Sequence, residues 1–168
     1  QTATTSYSIT ANKNAHSVSP TINNGVAITV PSGGSSSFPQ GASDVLTASS
    51  FPALNADDWT VEFWWRSTHT FQMGFIQVGK DNGSLSIYMN GSNKIVVEGN
   101  QTGSGYTSAK SLVTNRWYHI AVVNDGTANT QTTYINGVAD TNTGSRSTAY
   151  TYTEDTVIIG GRYYSSAY

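Results

Sequence analysis

Cysteine is absent from this 168-residue chain, so neither a disulfide framework nor a thiolate metal site is open to it. Charge is scarce as well: Asp, Glu, Lys and Arg make up 11% of the residues, and the formal net charge is −2. The 8 basic residues are scattered and form no cationic field able to hold a phosphate backbone, which excludes nucleic acid as a partner. No apolar run approaches the roughly 20 residues of a membrane-spanning helix, so membrane insertion is not expected. No long stretch carries a helical period. The chain opens at Gln1 rather than Met, with no visible signal peptide. That predicts a processed N terminus or a piece of a longer protein.

Polar uncharged residues and aromatics take the place of charge. Ser and Thr supply about a quarter of the chain, a bias towards strands and turns. There are 4 Trp, 10 Tyr and 5 Phe. The length suits one domain with its own core, so an extracellular setting needs no disulfide staples.

Residues 1–24 are polar and aperiodic and read as an extended N-terminal arm or linker; the domain is expected over 25–168. Strands are predicted at 26–30, 44–49, 60–68, 71–79, 84–90, 94–99, 117–124, 130–136 and 155–161, with a further one opening at Val138. The clearest is 60–68, where Val61, Phe63 and Trp65 alternate with Glu62, Trp64 and Arg66. Asn82-Gly83, Asn90-Gly91, Asp125-Gly126 and Asn136-Gly137 punctuate the runs as hairpin turns. Short strands at regular spacing between such turns indicate an all-β antiparallel sandwich or barrel.

Four ordered motifs carry a resemblance. They are Trp59-Thr60-Val61-Glu62-Phe63-Trp64, Trp117-Tyr118-His119-Ile120-Ala121-Val122-Val123, Tyr134-Ile135-Asn136-Gly137 and Ile158-Ile159-Gly160-Gly161. In this order they resemble the concanavalin-A-like lectin/glucanase superfamily, and within it the laminin-G-like jelly rolls. The cysteine-free, Ser/Thr/Asn-rich texture is similar to modules of phage tail and virion proteins and of bacterial surface proteins. The resemblance implies an antiparallel jelly-roll β-sandwich. It also implies a further strand with an aromatic-Gly-acidic pattern after Gly161, and none is found before Tyr168. A closing strand is therefore expected from a larger parent chain, from a neighbour, or from the N-terminal arm.

Hydrolases of this superfamily use paired carboxylates on one strand face. The glutamates here, Glu62, Glu98 and Glu154, have no carboxylate two residues away, and Asp57-Asp58 and Glu154-Asp155 are adjacent, so each pair points to opposite faces. His119 matches the strand histidine of the family and faces outward with Trp117; His16 and His69 lack metal spacing. No G-x-S-x-G elbow is present. The resemblance implies a possible Ca²⁺ at a sandwich edge, with Asp81, Asn82, Asp125 and Asp140 as candidate ligands, although none forms a dense acidic loop. No other cofactor is expected. Three Asn-x-Ser/Thr triplets, at Asn82, Asn90 and Asn100, have a frequency that chance explains in so Asn- and Ser-rich a chain.

Aromatic rings beside amides suit the C–H faces of sugars. Trp64, Tyr106, Tyr150, Tyr152, Tyr163 and Tyr164 are the candidate glycan contacts, with Trp64 on a strand and the tyrosines in or near loops. The function expected is a non-catalytic module at an extracellular or virion surface. Its partners would be glycans or neighbouring subunits, within a larger phage or bacterial surface protein. The alternatives are a purely architectural virion or fibre subunit and a glycoside hydrolase or lyase of the same superfamily.

Overall fold

The structure is a computed structural model, and it describes residues 9–11, 45–48, 58–79, 85–99, 104–145 and 156–161. Those residues form β1 (Ile9–Ala11), β2 (Leu46–Ala48), β3 (Trp59–Trp65), β4 (Met73–Val78), β5 (Leu85–Met89), β6 (Lys94–Gly99), β7 (Ser104–Ser111), β8 (Tyr118–Asp125), β9 (Thr130–Ile135), β10 (Val138–Ser145) and β11 (Val157–Ile159). The strand expected at 26–30, the turn Asn82-Gly83, Asp81, and Tyr150, Tyr152, Tyr163 and Tyr164 lie outside the described residues. No helix among the described residues is long and apolar enough to cross a membrane.

Two antiparallel sheets make a β-sandwich. One has 7 strands in the order β1-β2-β11-β4-β5-β6-β7, and the other has 4 in the order β10-β9-β8-β3. Residues 9–11, read from sequence as part of the arm, pair antiparallel with β2 at the outer edge of the larger sheet.

The core fills the space between the sheets. Ile87, Met89, Ile95 and Val97 from the larger sheet meet Ile120, Val122 and Ile135 from the smaller one, all buried. Each such side chain contributes about 1.5–3 kcal/mol by leaving water. Phe63, Trp65 and Phe75 meet at ring-centroid distances of 5.4 Å and 5.2 Å to Phe75, and Trp65 lies 6.4 Å from the Tyr118 ring. Two inward polar pairs lie between the sheets: Gln131 donates to Asn124 at 3.2 Å, and the Tyr106 and Thr133 hydroxyls bond at 2.8 Å.

Sequence alternation set the faces of β3 correctly, but not its end. The strand stops at Trp65 because Ser67 is buried and its hydroxyl accepts from the His69 amide at 2.9 Å, turning the chain. Of the turns described, only Asn136-Gly137 is the two-residue hairpin, with φ of 53° and 76°, both in the left-handed region that Asn and Gly tolerate. Residues 90–93 and 126–129 form longer loops in which Asn93 and Asn129, not the glycines, take positive φ. The Asn90 side chain holds the first of these by accepting from Ser92 and Lys94 amides at 3.0 Å and 3.1 Å.

The strand β7 was not foreseen. It follows β6 with a register shift, and Ser108 fills that irregularity by accepting from the Ile95 amide at 3.0 Å. β10 carries a matching shift between Ala139 and Thr143. The two irregular stretches face one another across the flank of the sandwich and are joined by side chains rather than by a strand ladder.

Candidate functional site

The outward face of the smaller sheet carries the site. Along β3 the burial alternates without a break from Thr60 to Ser67, so Glu62, Trp64 and Arg66 project to solvent while Val61, Phe63 and Trp65 turn to the core. The β3–β8 register sets Glu62 opposite Ala121 and Trp64 opposite His119. Trp117, two residues before His119, falls on the same side by alternation. Trp64 is 67% exposed and Trp117 47%, unusual for side chains this large.

These groups touch. The Trp64 and His119 rings lie 5.3 Å apart at 50°, and His119 Nε2 is 3.4 Å from Glu62 Oε2. The backbone beneath is fixed by Asn136, whose side-chain oxygen accepts from the His119 amide at 2.9 Å and whose own amide donates to the His119 carbonyl at 2.8 Å. Ala121 is small and pairs with Tyr134, so the half-buried tyrosine ring borders the patch beyond Glu62. The result is an open surface of indole and imidazole, with a carboxylate at one end and a guanidinium at the other. It offers stacking faces and hydrogen-bond partners, and among the described residues no second carboxylate lies beside Glu62 on it.

The remaining candidates take other places. Tyr106 is in β7 rather than a loop. Its ring packs on the core and against Gly144, and its hydroxyl is bonded to Thr133, so it braces the two sheets. Asp125 accepts from the Ala128 amide at 2.7 Å within its turn, and the neighbouring Asp58 accepts from Gly126 at 2.8 Å. Asp140 accepts from the amides of Ala109 at 2.7 Å, Lys110 at 3.0 Å and Asn142 at 3.0 Å. Partial burial opposes its charge, but those three amides and the Lys94 cation outweigh it and hold the carboxyl below its ordinary value of 3.8. Both oxygens of Asp140 thus face backbone N–H dipoles, which stabilise its charge. No group of three or more metal-binding side chains occurs among the described residues.

Carboxylate placement also bears on catalysis. Glu62 lies on the outer face of the smaller sheet, and Glu98 alternates with buried Val97 on the outer face of the larger one. The body of the sandwich separates them, whereas glycoside hydrolysis needs carboxyl groups about 5–9.5 Å apart. A hollow of about 350 Å³ lies beside the flank, lined by Ile135, Val138, Ala139, Lys110 and Asp140, and its one carboxylate is the clamped Asp140.

Trp117 is the residue that reasoning from sequence did not single out as a contact. Its parity with His119 was visible, but its exposure was not. The alternation of β3, by contrast, pointed directly to Trp64.

No curated protein sequence matches the chain. Solved structures show its fold. A botulinum neurotoxin type C structure, described by its dependence on two ganglioside molecules for cell entry, is 17% identical with a TM-score of 0.60 over 95% of this chain and 43% of that one. Domains LG4-5 of the mouse laminin α1 chain are 13% identical with a TM-score of 0.50 over 65% and 29%. A proposed carbohydrate-binding protein from Bacteroides ovatus is 20% identical with a TM-score of 0.49 over 66% and 33%. The chain therefore spans well under half the length of each of these. The sequence profile of the concanavalin A-like lectin/glucanases superfamily, laminin-G type, matches residues 40–168, so the chain belongs to that superfamily.

Proposed function

We propose that this chain is a non-catalytic glycan-binding module, displayed at an extracellular or virion surface as part of a larger phage or bacterial surface protein. The observation that carries this reading is Trp64. Its indole is 67% exposed near the end of β3, the terminal strand of the smaller sheet, whose alternate residues pack on the core. Leaving so large an apolar surface in water is unfavourable unless something covers it. A pyranose ring does so through its C–H face, while Glu62, His119 and the nearby amides meet its hydroxyls. The ganglioside dependence of the toxin with the same fold is consistent with this use of the fold. The tyrosines at 150, 152, 163 and 164 are proposed to extend the contact.

A glycan array tests the reading. The expected result is a restricted set of hits that Trp64→Ala abolishes, with Trp117→Ala and alanine changes at Tyr150, Tyr152, Tyr163 and Tyr164 reducing them. An empty array with correctly folded protein would refute it. If Trp64→Ala instead dissolved an oligomer in sedimentation, the exposed tryptophans would be subunit contacts and the architectural reading would replace this one.

A further inference from the structure

We infer that the Trp64 face takes a carboxylated sugar, a uronic or sialic-type residue, with its carboxylate at Arg66 and its hydroxyls at Glu62. This rests on the glycan reading above and names the class of sugar. Glu62 and Trp64 project from one face of β3, and the burial alternation carries past the end of the strand at Trp65, leaving Arg66 exposed next to them in sequence on the same parity. At about 3.3 Å per residue, the Cα atoms of Glu62 and Trp64 lie about 7 Å apart along the strand, and Arg66 follows one residue past the strand's end. In the proposed pose a sugar ring stacks on the indole, with Glu62 on the strand side and the long Arg66 side chain reaching in from the strand's end.

These two charged groups differ in how far they are already occupied. Glu62 Oε2 lies 3.4 Å from His119 Nε2, so its carboxylate already has a polar side chain beside it. Arg66 is exposed, and no carboxylate among the described residues pairs with it. The other nearby cation, Arg116, is 5.9 Å from the Tyr118 ring centroid and is directed there. One uncommitted guanidinium beside an uncovered indole matches a ring that carries one carboxylate. Guanidinium–carboxylate pairing is planar and bidentate, so it fixes the orientation of the ring on Trp64 as well as its charge.

Binding by calorimetry of 3′-sialyllactose, a glucuronate-capped disaccharide and lactose to wild type, Arg66→Gln, Arg66→Lys and Trp64→Ala tests this. At least one acidic probe should bind about tenfold more tightly than lactose, a preference that shrinks as salt rises. Arg66→Gln should remove the preference by weakening the acidic probes far more than lactose, with thermal stability unchanged. Arg66→Lys should restore part of it, and Trp64→Ala should weaken every probe. Lactose bound as tightly as both acidic probes, or a preference untouched by Arg66→Gln, would overturn the inference and leave the glycan reading standing. No binding to these probes or to any glycan on the array would remove both.

Discussion

Replacing Asp140 by asparagine tests the physical account of the flank where β7 meets β10. The carboxylate accepts three backbone amides, from Ala109, Lys110 and Asn142, at 2.7–3.0 Å. Asparagine keeps one oxygen but sets an amino group against the Lys110 or Ala109 N–H, so at least one donor loses its partner and the rest lose charge assistance. A hydrogen bond to a charged group contributes about 1.5–3 kcal/mol when buried, and the exposure of this flank lets water recover part of the loss. The expected destabilisation is about 1–2 kcal/mol at pH 7. The pH dependence gives a second signature. The folded-state pKa of Asp140 is lowered, so its contribution is complete above the ordinary value of 3.8 and is lost as pH falls through the lower folded value. Urea denaturation of wild type and Asp140→Asn at pH 7 and at successive acidic pH values should show the gap narrowing below about pH 4. A gap that stays constant through that range, or one within error at pH 7, would refute the reasoning.

Gly144→Ala places a methyl group into the Tyr106 ring and should cost about 1–3 kcal/mol by displacing it from Thr133, read as a lower melting temperature. The milder Tyr106→Phe should cost about 0.5–1.5 kcal/mol, and a larger effect from Tyr106→Phe than from Gly144→Ala would contradict the packing described. Chelator should leave the melting temperature unchanged, because no group of three or more metal-binding side chains forms among the described residues; a chelator-sensitive melt restored by Ca²⁺ would return attention to Asp81, Asp125 and Asp140.

Most of the fold was legible because its strands carry short-range signals. The alternation in β3 and the apolar runs of β5, β6, β8 and β11 are written in adjacent residues. β7 was not legible. Its sequence, SGYTSAKS, has few apolar side chains because it lies at a sheet edge, and its structure depends on partners in β6 and β10. The candidate site divides in the same way. Trp64 could be placed by parity alone. The role of Asp140 depends on amides 30 and 31 residues away, a distance over which neither spacing nor turn chemistry carries information. Tyr106 was assigned to a loop for the reason β7 was missed.

The flank formed by β7 and β10 also bears on how copies of this chain avoid one another in solution. The terminal strand of a sheet is a template for addition of a foreign strand, and proteins commonly deter it with clusters of charge. With 11% charged residues, this chain has little to spend on that deterrent. The terminal strands of its two sheets instead face each other, and their irregular stretches direct amides inward to Asp140 and a carbonyl to Asn142. Among the described residues, a strand arriving at that flank meets an edge whose ladder is broken by these side-chain bonds. Backbone geometry thus masks the described part of this flank, in a protein whose composition supplies little electrostatic repulsion.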